Sequence, residues 1–496
     1  MTVDFDPYVI LGVPPNASAE DVKAAYRRAA RRLHPDVNRA PGAAVQFQDI
    51  TVAHDLLTDS ERRRKYDESV QKRDGGVLSV NFRVIPSKRA IMPLPEPQVL
   101  YLLAEILPDP RAQEGQHTRE SRLNLTLVLD HSNSMSGTRL DKVKIAAHQI
   151  IDQLTPEDVF SVVSFNDHAD VVIPATTVTD KPALKARISM MMASGGTEIF
   201  KGLSAGAEQN RQYLAPRLVN HIILLTDGNT YGDQDRCLAL AREVAKEGIA
   251  ISAMGLGQEW NDKFLDEIAT TTGGSSAYIN SANAVVRFLN DHVRNLSNIF
   301  AERVTLSVAP DPNIRLESAF KLTPNPQPLS VDEGNMPLGS LQLNRTISVL
   351  LQFEMPPNLS EEFHTVARLV SSGDILANRL QKYQVLSDFS VEVTQNPAPE
   401  DPPSAILDAL GKLTLYRMQE RAQEALEAGD IREATRRLEN LATRLLELGE
   451  PELAQQARNE AQQVAYTYNL TDKGRKTLKY QTRTLLLGAS AGDGSE

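Results

Sequence analysis

The uncharged, strand-like run Leu123 to Leu129 ends on Asp130-His131-Ser132-Asn133-Ser134, and no other stretch constrains the chain as much. A short run of that kind, bounded by polar residues, reads as a buried strand. One carboxylate and two hydroxyls leave its end together. Thr197 and Asp227 answer them from later loops, Asp227 just beyond the apolar run His221 to Leu225. Two carboxylates and three hydroxyls are the hard oxygen donors that Mg²⁺ prefers, with a position left for water or a partner's oxygen. The two carboxylates neutralise the dication, and the hydroxyls complete its shell without repelling an acidic guest. The pattern therefore reads as a site that binds a protein through a carboxylate, with Mn²⁺ or Ca²⁺ as alternatives to Mg²⁺.

From Arg122 to about Leu296 strand-like and helical segments alternate, with strands at Val159 to Phe165, His221 to Leu225 and Ile249 to Leu256. Helical patterns cover Leu140 to Leu154, Pro182 to Met192, Lys201 to Asn210, Arg236 to Glu247 and Ala282 to Leu296. Such alternation predicts a parallel sheet with helices on both faces. Ligands of these sheets gather outside the carboxyl ends of the strands, where loops starting at Asp130 and Asp227 emerge. Asp130-x-Ser132-x-Ser134, Gly195-Gly196-Thr197 and Thr226-Asp227-Gly228 resemble the von Willebrand factor A domain with its metal-ion-dependent adhesion site. The resemblance implies direct coordination by Ser132, Ser134 and Thr197. It implies that Asp130 and Asp227 act directly or through water, and that the last vertex goes to an acidic group of the partner.

The first 74 residues read as compact helices at Pro7 to Leu11, Ser18 to Leu33, Pro41 to Leu57 and from Ser60 onward. Val22, Ala25, Tyr26, Ala29 and Leu33 recur at helical spacing, while Lys23, Arg27, Arg28, Arg31 and Arg32 make the opposite side basic. A charge run alone is usually a solvated face. Here the helix runs into His34-Pro35-Asp36. With Asp6-Pro7-Tyr8, Leu11-Gly12-Val13, Ala25-Tyr26-Arg27, Leu56-Leu57 and Arg64-Lys65-Tyr66-Asp67, this stretch resembles the J-domain of Hsp70 co-chaperones. The resemblance implies that His34, Pro35 and Asp36 stimulate ATP hydrolysis by an Hsp70, and that Lys23, Tyr26, Arg27, Arg28 and Asn38 help to dock it. Val37 stands where many members carry a basic residue. No Gly/Phe-rich stretch follows, and the lone Cys237 rules out zinc-binding cysteine pairs.

Short strand-like runs lie on both sides of the A-domain pattern, at Val77 to Val84 and Val99 to Leu107 before it, and at Val304 to Val308, Ile347 to Phe353, Thr365 to Val370 and Tyr383 to Val393 after it. They suggest an antiparallel sandwich. The order of segments resembles bacterial von Willebrand A proteins in which the metal module is inserted into a β-sandwich. The expected fold class is thus multidomain α+β: an all-α J-domain, a doubly wound α/β A-domain inserted in an antiparallel β-sandwich, and a C-terminal helical bundle. The expected boundaries are 1–74 for the J-domain, 77–121 and 300–396 for the two parts of the sandwich, 122–299 for the A-domain, 397–403 for a linker, and 404–488 for the helical region. Helices are read at Ser404 to Glu427, Ile431 to Leu448 and Pro451 to Tyr466, and Ala489 to Glu496 as unstructured.

The net charge of −11 belongs to the chain beyond the balanced J-domain, which gives no electrostatic case for nucleic acid. The longest apolar runs fall short of the roughly 20 residues of a membrane span. The polar, acidic beginning lacks a leader pattern, so the compartment is read as the cytoplasm. No catalytic residue is assigned: His131 has no nucleophile beside it, Cys237 reads as a packing residue in a helix, and no phosphate-binding Gly-x-x-x-x-Gly-Lys-Ser/Thr loop occurs. Trp260, following the strand Ile249 to Leu256, should lie on the metal rim, most simply as a packing residue. The expected function is that of an Hsp70 co-chaperone adaptor that grips a protein partner through the metal site. The alternative is an accessory subunit of an AAA+ ATPase machine.

Overall fold

The computed structural model describes residues 6–71, 80–110, 112, 121–230, 232–332, 334–376 and 380–486. Residues 77–79 of the first strand-like run and the tail Ala489 to Glu496 lie outside them. The chain divides into two compact units, residues 1–118 with 300–413, and 119–299 with 414–496.

The first unit begins with α1 (Pro7–Leu11), α2 (Ala19–Leu33), α3 (Pro41–Thr58) and α4 (Ser60–Gln71). Asp6 caps α1 by accepting from the Tyr8 and Val9 amides, and Ser18 with Asp21 forms a reciprocal capping box on α2. The core between the helices holds Val22, Ala25 and Leu33 from α2 and Ile50, Ala53 and Leu57 from α3. His34-Pro35-Asp36 is the turn that leaves α2. The strands β1 (Val80–Pro86), β2 (Ala90–Ile91) and β3 (Gln98–Pro108) follow.

The second unit holds β4 (Arg122–Asp130), α5 (Thr138–Gln153), β5 (Val159–Phe165), β6 (Ala169–Thr177), α6 (Lys181–Ser189), α7 (Ile199–Arg211), β7 (Leu218–Thr226), α8 (Gln234–Glu247), β8 (Ala250–Leu256), α9 (Asp262–Thr272), β9 (Ser276–Ile279) and α10 (Ala282–Ser297). Their sheet has the order β6-β5-β4-β7-β8-β9. Sequence alternation predicts a parallel sheet, and four of the five pairs are parallel, but β6 runs antiparallel to β5. Only Asn166 to His168 join the two strands, far too few residues for the crossover that a parallel neighbour needs. The helix read as ending at Met192 stops at Ser189.

The chain then returns to the first unit with β10 (Ile299–Pro310), β11 (Arg315–Thr323), β12 (Gln327–Leu329), β13 (Met336–Gln342), β14 (Ile347–Met355), β15 (Phe363–Leu376) and β16 (Leu380–Val393). The two sheets, β1-β3-β14-β11-β12 and β13-β10-β15-β16-β2, enclose one core in which Leu100, Leu102 and Ile106 join Leu306, Val349, Leu351 and Leu369. Strands that precede the A-domain in the chain thus pair with strands that follow it, as in Leu102 opposite Leu351. The pairs β1–β3, β3–β14, β14–β11, β11–β12, β10–β15 and β15–β16 are antiparallel, and β2 pairs with β16 in parallel over two residues.

The J-domain is seated on this sandwich through a buried polar seam. The Gln46 amide donates to the carbonyls of Ser307 (3.3 Å) and Arg368 (3.2 Å), and the Arg368 guanidinium donates to the Ile10 carbonyl. Gly42 lies so close to β10 that a Cβ there would overlap the Val308 carbonyl oxygen. A glycine-to-alanine change inside a helix normally helps by about 0.5–1 kcal/mol. Gly42→Ala is expected to do the reverse and destabilise the full chain by about 1–3 kcal/mol, because the clash is with fixed backbone. An unchanged or raised urea midpoint would show that the seam yields freely.

The last helices are α11 (Ser404–Glu427), α12 (Ile431–Glu447), α13 (Pro451–Thr467) and α14 (Asp472–Leu486). α12 and α13 pack through Leu438, Leu441, Leu445, Ala457 and Val464, all buried. α14 falls within the helical region expected at 404–488, although the apolar spacing marks no separate helix there. Its buried residues mix charge with apolar surface: Lys476 and Lys479 are buried beside Leu478 and Tyr480, and Lys479 reaches Asp262 and Asp266 at 2.7 Å each.

Candidate metal rim and J-domain tripeptide

Asp130 is the last residue of β4 and is buried, with its carboxylate fixed by two donors. The Ser132 amide reaches Oδ1 at 2.8 Å and the Thr226 hydroxyl reaches Oδ2 at 2.7 Å. Burial pushes the Asp130 carboxyl above its ordinary range, the hydrogen bonds from Ser132 and Thr226 oppose this, and the neighbouring Asp227 adds to it. Ser132 and Ser134 hydroxyls stand 2.9 Å apart, and the Ser134 hydroxyl donates to Asp227 Oδ1 at 2.7 Å. Thr197 Oγ1 lies 3.3 Å from where a Cβ on Gly228 would stand, beside Asp227. The five residues therefore gather at the carboxyl ends of β4 and β7 and at the entry to α7.

Their chemistry fits a hard divalent ion. Among the described residues no cluster of three or more His, Cys, Asp and Glu side chains could hold a metal. A metal here would rely on hydroxyls beside the two carboxylates, as a Mg²⁺ shell of mixed oxygen donors can. His131 is mostly buried, with Nδ1 3.0 Å from the Met192 carbonyl oxygen, so that nitrogen is turned into the loop. Cys237 packs in the sheet–helix core, and burial pushes its thiol up to about 12.

Three features of this rim escaped the sequence reading. Thr226 orients Asp130, Arg139 pairs with Asp227, and the loop bonded to His131 carries Met190 and Met192 with 72% and 78% of their surface exposed. The run Met190-Met191-Met192 was a visible signal for the last. Nothing in sequence spacing marks the other two.

Trp260 lies on the same rim, in a cleft of about 780 Å³ lined by Thr197, Gly228, Lys263, Glu427 and Arg475 among others. It is also a packing residue. Its ring fills the space that a side chain at Gly255 would need, Lys476 Nζ stands 4.3 Å from the ring centroid, and Tyr480 packs at 5.9 Å. Lys476 in turn donates to the Trp260 carbonyl at 2.6 Å and to that of Gln258. The C-terminal helix thus holds the loop that walls the cleft.

In the J-domain, Pro35 and Asp36 are exposed and His34 is half-exposed, its ring set edge-on to Phe47 at 5.1 Å. The Asp36 amide donates to His34 Nδ1 at 3.2 Å, which fixes the turn. Lys23, Arg27 and Arg28 point to solvent, and Tyr26 stacks on His54 at 4.4 Å. Asn38 departs from expectation. It is buried, and its amide donates to the Arg32 and Pro310 carbonyls (3.0 and 2.8 Å), so it secures the seam instead of facing a partner.

The "Uncharacterized protein sll0103" of Synechocystis sp. is 30% identical over 344 residues, 67% of this chain and 80% of that protein. The description "Sll0103-like, C-terminal alpha-helical domain" matches residues 404–488. The chain belongs to the Sll0103-like family. Within the chain the DnaJ domain matches residues 6–67 and the von Willebrand factor type A domain residues 124–292. The Thermus thermophilus Chaperone protein DnaJ 2 is 51% identical over 67 residues, which span 14% of this chain and 24% of that chaperone. The von Willebrand factor type A protein from Catenulispora acidiphila aligns with a TM-score of 0.68 over 82% of this chain and 97% of its own, at 17% identity. The ArnB paralog VWA2 from Sulfolobus acidocaldarius aligns at 0.53 over 82% and 99%, at 14% identity. These two structures share the fold. Among the described residues no helix is long and apolar enough to cross a membrane.

Proposed function

We propose that this Sll0103-like protein is a cytoplasmic Hsp70 co-chaperone adaptor. The J-domain recruits and stimulates an Hsp70 through His34, Pro35 and Asp36, with Lys23, Tyr26, Arg27 and Arg28 as the docking face. The A-domain holds Mg²⁺, or Mn²⁺ or Ca²⁺ in its place, through Asp130, Ser132, Ser134, Thr197 and Asp227, and binds a protein that offers a carboxylate. Met190 and Met192 give that protein an adaptable apolar contact. The observation that carries the reading is the knot of hydroxyl and carboxylate oxygens, drawn from three loops to one rim, in a chain whose tripeptide faces solvent.

A pull-down with the full chain, in Mg²⁺ and in EDTA, tests the A-domain half. Wild type should retain a protein partner in Mg²⁺ only, and Asp130→Ala should retain none in either buffer. Retention that ignores both changes would sink it. Capture of an AAA+ ATPase would redirect the assignment to an accessory subunit of such a machine.

A further inference from the structure

Asp227 already has a cation. Arg139, at the start of α5, places Nη1 2.5 Å from Asp227 Oδ2 and 3.3 Å from the Ser134 carbonyl oxygen. The Asp227 side chain is 0% exposed and that of Arg139 43%, so the guanidinium caps the carboxylate from the solvent side. Ser134 holds the other oxygen. Both oxygens of Asp227 are therefore engaged by the protein's own donors. A buried carboxylate stripped of its counter-charge is costly, and Arg139 removes that cost.

The geometry points to Arg139 as the residue that sets the selectivity of the rim, lowering its affinity for the dication while raising its affinity for a carboxylate ligand. The inference rests on the metal reading above. A fixed guanidinium in contact with Asp227 repels an incoming dication and competes for Oδ2. With the dication bound, Asp130 and Asp227 balance its charge and Arg139 leaves one positive charge in surplus. The other N–H donors of Arg139 have no partner among the described residues, and a guanidinium presents its donors in the fork that a carboxylate fits. Arg139 thus trades tight metal retention for a stronger draw on an acidic guest.

Calorimetric titration of Mg²⁺ into the full chain tests this with wild type, Arg139→Gln and Arg139→Lys. Arg139→Gln should bind Mg²⁺ about tenfold more tightly, about 1.4 kcal/mol, and Arg139→Lys should stay near wild type because it keeps the charge. In saturating Mg²⁺, acetate as a carboxylate probe should bind Arg139→Gln several-fold more weakly. Equal or weaker Mg²⁺ binding by Arg139→Gln, with wild type binding normally, would overturn the role of Arg139 alone. Absence of Mg²⁺ binding by all three proteins would overturn the metal reading and this inference with it.

Discussion

Asp262→Ala is expected to destabilise the second unit by about 3–5 kcal/mol, the usual consequence of removing one partner from a buried ion pair. Asp262 opens α9 and is buried with Lys479, which reaches it at 2.7 Å, and Arg475 reaches its other oxygen. Asp266 continues the cluster, taking Lys479 at 2.7 Å, Arg483 at 2.9 Å and the Tyr480 hydroxyl at 2.8 Å. Burial alone would raise the Asp262 carboxyl, but Lys479 and Arg475 outweigh it and hold it down to about 2. Asp266 is likewise held below its ordinary value, Arg483 and Lys479 outweighing burial. A carboxylate whose folded value is depressed stabilises the fold above its unfolded value, about 3.9, and loses that contribution as pH falls through the folded one. The docking of α14 should therefore hold at neutral pH and fail between about pH 4 and 2. Trp260, the sole tryptophan, is pressed between Lys476 and Tyr480 of the same helix and reports the event. Red-shifted emission and a lowered urea midpoint are expected for Asp262→Ala at pH 7. A midpoint within about 0.5 kcal/mol of wild type, the range of ordinary surface changes, would mean that the cluster is dispensable.

Asp36→Asn is expected to return the steady-state ATPase of an Hsp70 to the rate it shows without this protein. The substitution keeps the turn, because the bond that fixes it runs from the Asp36 backbone amide to His34 Nδ1. What is lost is an exposed carboxylate. The basic face should matter less sharply: exposed ion pairs contribute about 0.2–1 kcal/mol each. A few of them fall short of the roughly 8 kcal/mol of a micromolar complex. Arg27→Ala should thus weaken stimulation in part, and the wild-type effect should fall with salt as the screening length drops from about 10 Å at 0.1 M to about 3 Å at 1 M. Full stimulation by Asp36→Asn would remove the co-chaperone assignment.

The parts of the molecule legible in the sequence are those governed by local rules. The capping pair Ser18 and Asp21, the helical period of Val22, Ala25 and Leu33, and the strand that ends on Asp130 each announce an element within a few residues. The J-domain with its A-domain neighbour was readable because motif and spacing coincide. Pairing at long range was not. Nothing near Gln46 shows that it will donate to Ser307, and nothing near Arg139 shows that it will cap Asp227. Helix α14 has no apolar period of its own because Lys476 and Lys479 share its buried positions with Leu478 and Tyr480, and Arg475, Lys479 and Arg483 are matched to aspartates of α9. Asn38 departs from expectation through such a long-range pairing: a family's docking residue can be claimed by a carbonyl of another domain, here that of Pro310.

The split sandwich bears on how the chain is made. β3 lies between β1 and β14, and β14 begins only at Ile347, on the far side of the whole A-domain. At about 5–20 residues per second, the ribosome leaves one edge of this apolar strand without its neighbour for on the order of ten seconds or more. An uncovered strand edge is a template for pairing with other chains. A nascent molecule of this protein therefore waits half-built, and its early strands have particular need of a chaperone while it does.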